Sequence, residues 1–119
     1  MSLNTFLDFE LEDGNKIQLT LNFTRLLQLK NKRKEIYAKY TNALAGKGDA
    51  FENTLITLYV AYLCANIESL DVDGKLMTYT SFIKAIPQDF ILINDYNDKL
   101  LNPKKKTALE NHSSRIQER

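Results

Sequence analysis

The chain has 119 residues, 44% hydrophobic and 26% charged, which describes one soluble globular domain and leaves no room for a second full-sized core. Lys+Arg 16 against Asp+Glu 15 gives a net charge of +1, so no overall excess directs it to nucleic acid or an anionic membrane. One cysteine, Cys64, excludes an internal disulfide framework and a Cys-based zinc site, and one histidine, His112, removes the commonest general base and most metal constellations.

Residues 6 to 23 are predicted to form a β-hairpin. Leu7, Phe9 and Leu11 alternate with Asp8, Glu10 and Glu12. After Asp13-Gly14-Asn15, Ile17, Leu19, Leu21 and Phe23 alternate with Gln18, Thr20 and Asn22. Period two on both sides of an Asp-Gly turn is a strong hairpin signal. A lone hairpin is marginal in water, so helices must cover its apolar face.

The first predicted helix is capped by Thr24 and runs to about Ala45, where Gly46 and Gly48 end it. At 100° per residue, Leu26, Leu29, Ile36, Tyr37, Tyr40 and Leu44 share one stripe. Asp49 opens a second helix, with Glu52 three residues on in an acidic version of a capping box. Phe51, Leu55, Leu58, Tyr59, Tyr62 and Leu63 give that helix a wide apolar arc, extended by Ile56, Val60 and Ile67, so it is expected to be the central one. Its surroundings contain the longest uncharged run, Asn53 to Ile67, which at 15 residues is shorter than the roughly 20 of a membrane span. The N-terminus lacks the basic-then-apolar pattern of a signal peptide.

Asp71-Val72-Asp73-Gly74 is predicted to be a turn, and Thr80 or Ser81 to start a short helix to about Ala85 that Pro87 interrupts. A last helix is expected from about Gln88 to Leu101, with Phe90, Ile91, Ile93, Leu100 and Leu101 in the core or at an interface and Asn102-Pro103 as its stop. The fold class is α+β: an N-terminal β-hairpin packed on a bundle of about four helices over residues 1–103, then a polar tail, 104–119, expected to be disordered.

No catalytic constellation emerges, and the chain is read as no enzyme, without cofactor or metal. Counted from Asp71 as a calcium loop, the glycine falls at position 4 instead of 6, and positions 5 and 12 are Lys75 and Phe82. There is no phosphate-binding glycine loop and no Ser-His-Asp set.

Charge is distributed in blocks: −3 over residues 1–24, +6 over 25–48, −5 over 49–74, 0 over 75–103 and +3 over 104–119. In the basic block, Lys30 and Lys34 flank one side of the apolar stripe and Lys32 and Lys39 the other, which is not a single phosphate-tracking groove. Arg33 points into the stripe between Leu29, Tyr37 and Tyr40 and needs either a partner or an extended stem. The −5 block and a contacting protein are the two candidate partners. Tyr37, Tyr40, Tyr59 and Tyr62 recur as i,i+3 pairs on successive helices. They fit an amphipathic core edge or an assembly surface, since Tyr and Arg are enriched at interface centres. Arg33, Tyr37, Tyr40, Tyr59, Tyr62 and Phe90 are therefore the candidate partner-binding residues. Lys104-Lys105-Lys106 requires an almost pure adenine stretch in the message, because lysine is encoded only by AAA and AAG; such stretches are where ribosomes slip frame.

The chain resembles the tail assembly chaperones of long-tailed phages and prophages of Gram-positive bacteria. The resemblance rests on Phe9-Glu10-Leu11-Glu12-Asp13-Gly14, Leu19-Thr20-Leu21-Asn22-Phe23 and the Leu-rich start of the first helix. It continues through Tyr37, Tyr40, Leu58-Tyr59-Val60-Ala61-Tyr62-Leu63-Cys64-Ala65-Asn66, Ser81-Phe82 and Ile86-Pro87-Gln88-Asp89, and closes on Asn102-Pro103-Lys104-Lys105. It covers roughly residues 5–106.

What the resemblance implies is a non-enzymatic protein of the host bacterial cytoplasm that binds the tape-measure protein during tail assembly and is absent from the finished virion. A homo-oligomer is the expected working form, and the resemblance implies that a fraction of product is extended by frameshifting, with the extension recruiting the major tail protein. Lys104, Lys105 and Lys106 become the candidate frameshift region. Two rival expectations remain. One is a small nucleic-acid-binding phage regulator using Arg25, Lys30, Lys34 and Lys104–Lys106; the other is a structural tail component.

Overall fold

The computed structural model describes residues 6–102. The predicted tail at 104–119, with Lys104, Lys105 and Lys106, lies outside the described residues. Two antiparallel strands, β1 (Leu7–Glu10) and β2 (Lys16–Leu19), are followed by five α-helices: α1 (Phe23–Lys32), α2 (Lys34–Leu44), α3 (Ala50–Ala65), α4 (Tyr79–Ala85) and α5 (Phe90–Leu101). A single 3-10 turn, Ile67–Ser69, follows α3. The α+β architecture is as the sequence predicts, with one helix more.

The hairpin pairs Leu7 with Leu19 and Phe9 with Ile17, so the alternating apolar residues share one face. Gly14 takes φ 91° in the turn, a conformation that glycine adopts without steric penalty, and Leu11 N–H closes the loop onto the Asn15 carbonyl at 2.7 Å. The strand is shorter than the alternation suggests. Thr20, fully buried, donates its N–H to the Ala61 carbonyl of α3, and Asn22 caps α1 through its side chain on Arg25 N. Phe23 is therefore helical and 70% exposed, not an inward strand residue.

The largest departure is the first helix. Sequence periodicity predicts one helix from Thr24 to Ala45, but the backbone leaves helical geometry at Arg33 (φ −140°, ψ 74°). Asn22, not Thr24, provides the N-cap. Neither glycine nor proline marks the break. An uninterrupted helix would drive the Arg33 guanidinium into the apolar stripe; turning out of the helix lets it reach the Leu70 carbonyl and Asp71 instead. The far end of α2 is conventional: Gly46 (φ 76°) donates to Ala43 and Lys47 to Asn42, the paired bonds of a Schellman motif.

Helix α3 is the centre of the domain, with Leu58, Val60, Ala61 and Cys64 fully buried. Asp49 caps it by accepting from Glu52 N at 2.8 Å, as predicted. Helix α2 lies against one side, while α5 and the hairpin face cover others; Phe9 meets Tyr96 of α5 edge-on at 4.8 Å. Burying a Phe or Leu side chain is worth about 1.5–3 kcal/mol, so this cluster supplies the main stabilisation. Thr78, not Thr80 or Ser81, caps α4, and Ile86 turns extended before Pro87. Asp89 caps α5 through Ile91 N and Leu92 N, so the helix starts at Phe90, not Gln88. The hairpin turn is tied to the α4–α5 junction by Glu12 N–H on Ala85 O and by Gln88 N–H on the Glu12 carboxylate.

Among the described residues, no helix is long and apolar enough to cross a membrane.

Candidate functional site

Of the six candidate partner-binding residues, three are in the core. Tyr40, Tyr59 and Tyr62 are 5%, 8% and 5% exposed. The Tyr59 hydroxyl donates to the Met77 carbonyl at 2.9 Å, and Met77 N–H donates to the Tyr62 hydroxyl at the same distance. The pair thus fixes both backbone groups of one residue in the segment joining α3 to α4. Phe82 packs on both rings, stacked on Tyr62 at 5.3 Å and tilted against Tyr59 at 5.4 Å. Burial pushes the Tyr40 hydroxyl up to about 12, with Cys64 and Tyr37 adding to it. These three tyrosines are structural in this conformation, and of the two readings the sequence leaves open, core edge or assembly surface, their burial fits the core edge. Tyr37 remains half-buried, its ring 6.0 Å from Tyr40.

Three cations of the basic segment are engaged within the molecule. Arg33 reaches Asp71 at 3.0 Å and the Leu70 carbonyl at 3.1 Å, and Lys32 reaches the other Asp71 oxygen at 2.7 Å. Arg25 bonds the Cys64 carbonyl at 2.9 Å and Glu68 at 3.0 Å, so a cation closes the negative end of α3. Its guanidinium also lies over the Phe6 ring. The acidic block therefore supplies the partner that Arg33 requires, and Asp71-Val72-Asp73-Gly74 is a turn that receives cations from side chains. Lys32 and Arg33 hold the Asp71 carboxyl below its ordinary value. Glu68 is lowered by its own backbone N–H and then by Arg25. An open cleft of about 450 Å³ lies between α1 and this turn, but its charged walls, Arg25, Lys32, Glu68 and Asp71, are paired with one another. No group of three His, Cys, Asp or Glu that could hold a metal ion occurs among the described residues. Cys64 is fully buried, and burial pushes its thiol up to about 12 despite the opposing charge of Arg25, which makes it a poor nucleophile.

Phe90, the sixth candidate, is on the surface. It is 52% exposed, and its ring sits 5.6 Å from that of Phe51, itself 48% exposed. Ile91 beside it is 81% exposed. The face exists because Asp49 and Asp89 cap α3 and α5 where the two helices meet. Each cap is followed within two residues by a large apolar side chain lying beyond the covered part of the core. Sequence reasoning placed Phe51 in the α3 core arc. Its position in the first helical turn, ahead of the uncharged run, was the available signal that it overhangs the end of the core.

Comparison of the chain with family models, curated proteins and solved structures finds no match.

Proposed function

We propose that this chain is a phage tail assembly chaperone, a non-enzymatic protein that binds the tape-measure protein during tail morphogenesis. The observation that carries the reading is the exposed Phe51–Phe90–Ile91 face on a small domain in which Tyr40, Tyr59, Tyr62 and Cys64 are buried and Arg25, Lys32 and Arg33 are held in ion pairs. A long helical client exposes apolar stripes until the tail tube encloses it, and a rigid apolar face shields such a stripe reversibly. The resemblance of residues 5–106 to the tail chaperones supplies the identity of the client. It also supplies the host cytoplasm as the place of action and a frameshifted product reaching the major tail protein; the working form is a homo-oligomer.

Co-expression tests this reading. The tape-measure protein is expected to become soluble and co-purify with the chain. Phe51→Ser/Phe90→Ser is expected to lose the complex while lowering the unfolding free energy by no more than about 2 kcal/mol, since each ring is already about half exposed. Failure of the two proteins to co-purify, with unchanged client solubility, refutes the proposal. Mass spectrometry of purified virions separates the structural-component alternative, because the chaperone is expected to be missing there. The nucleic-acid alternative predicts affinity falling steeply with salt. It is weakened by the engagement of Arg25 with Glu68 and the α3 carbonyls.

A further inference from the structure

A second exposed face runs along the outside of α1 and across the break into α2. Phe23 and Leu27, one turn apart, are 70% and 58% exposed, while Leu26 and Leu29 of the same helix are buried against the domain. Helix α1 is thus apolar on two sides. At 100° per residue Lys30 falls on the outer side beside Phe23 and Leu27. Its ammonium group extends over the half-buried Tyr37 ring at 5.8 Å. Lys34, three residues before Tyr37 on α2, is exposed. The other cations of α1 turn away: Arg25 and Lys32 pair with Glu68 and Asp71. Lys30 and Lys34 have no carboxylate partner among the described residues, and α1 carries no acidic residue in its first turn.

We infer that the outer face formed by Phe23, Leu27, Lys30, Lys34 and Tyr37 is a docking surface for an amphipathic helix whose apolar stripe is flanked by carboxylates. Two apolar side chains at i,i+4 form a ridge that fits between the side chains of a second helix. The ammonium groups of Lys30 and Lys34, without a carboxylate partner among the described residues, select the charge of its flanks and set its direction. The face is separate from the Phe51–Phe90–Ile91 face. Arg25 meets the C-terminal end of α3 through Cys64, whereas Phe51 lies at its N-terminal end, roughly 20 Å away at 1.5 Å per residue. The domain therefore presents two separate apolar faces. This inference stands independently of the proposed client.

The test uses the full chain and two fluorescently labelled helical peptides with the same leucine stripe, one flanked by Glu and one by Lys. In low salt the Glu-flanked peptide is expected to bind at least tenfold more tightly by anisotropy. Lys30→Glu/Lys34→Glu is expected to reverse that preference, and Phe23→Ser/Leu27→Ser to abolish binding. Lys16→Ala, an exposed position on the hairpin, is expected to leave it unchanged. Equal binding of both peptides, or binding that survives both double substitutions, overturns the inference. So does self-association lost in Phe23→Ser/Leu27→Ser, which assigns the face to a second copy. Tight, salt-sensitive binding of a thymidylate oligonucleotide lost in Lys30→Glu/Lys34→Glu overturns it in favour of nucleic acid.

Discussion

Replacing Tyr62 by Phe removes a single oxygen from the core and leaves the ring that stacks on Phe82. That oxygen accepts the Met77 N–H at 2.9 Å, and Tyr62 is only 5% exposed, so water has little access to replace it. A typical hydrogen bond contributes about 1 kcal/mol net, whereas a buried donor left without a partner costs about 1–3 kcal/mol. The expected loss is therefore about 2 kcal/mol, or roughly 8 °C in Tm for a domain of this size. Tyr59→Phe removes the donor to the carbonyl of the same residue, so the two substitutions share one backbone unit. The double variant is expected to lose less than the sum of the single losses, because the segment around Met77 relaxes once either bond is gone. Urea denaturation with a constant m-value measures all three variants, and hydrogen exchange at the Met77 amide reports the local effect. A loss below about 0.5 kcal/mol for Tyr62→Phe, with Met77 still protected, refutes the view that these hydroxyls anchor the α3–α4 connection.

Phe9→Ala empties a fully buried site beside Tyr96, and about 3–5 kcal/mol of unfolding free energy is expected to disappear in urea titrations; a loss under about 1.5 kcal/mol places the hairpin outside the cooperative core. At alkaline pH the unfolded chain releases the Cys64 proton from its ordinary 9.0 upward, while the native thiol holds it to about 12. The stability is therefore complete below pH 9 and falls as pH rises through that window. Cys64→Ala is expected to make the decline shallower by up to about 1.4 kcal/mol per pH unit, measured from urea midpoints between pH 8 and 11. At acid pH the sign is opposite. Asp71 and Glu68 are lowered from 3.8 and 4.5, so their contribution is present above those values and lost as pH falls through the lower native ones. Asp71→Asn is expected to flatten the acid limb of the stability profile and its dependence on salt, and an unchanged limb contradicts a stabilising role for the Lys32–Asp71–Arg33 clip.

Much of the fold was legible because local chemistry and tertiary position agree there. The Asp-Gly turn between two alternating segments, Asp49 before α3, Gly46 after α2 and Pro87 between α4 and α5 each act through backbone geometry or a nearby hydrogen bond. The candidate surface was less legible. Four tyrosines at i,i+3 spacing look the same whether the hydroxyls meet water or a backbone group. Only the segment around Met77, brought back over α3, decides that Tyr59 and Tyr62 are interior.

By itself, the sequence determined an α+β domain with a buried central helix, a hairpin needing cover, opposed charge blocks, and one cysteine and one histidine in the whole chain. Periodicity and capping determine these because they depend on neighbours a few residues away. Tertiary structure alone decided where the opposed charges meet. Arg33 leaves the helix to reach Asp71, 38 positions on, and Arg25 closes α3 39 positions on. It also decided which apolar residues stay outside. Phe51, Phe90 and Ile91 fit the same patterns as core residues, but they sit at the ends of helices where no further layer among the described residues covers them. A hydrophobic pattern specifies which side of a helix turns inward, and only the arrangement of the other helices fixes how far along it the cover extends.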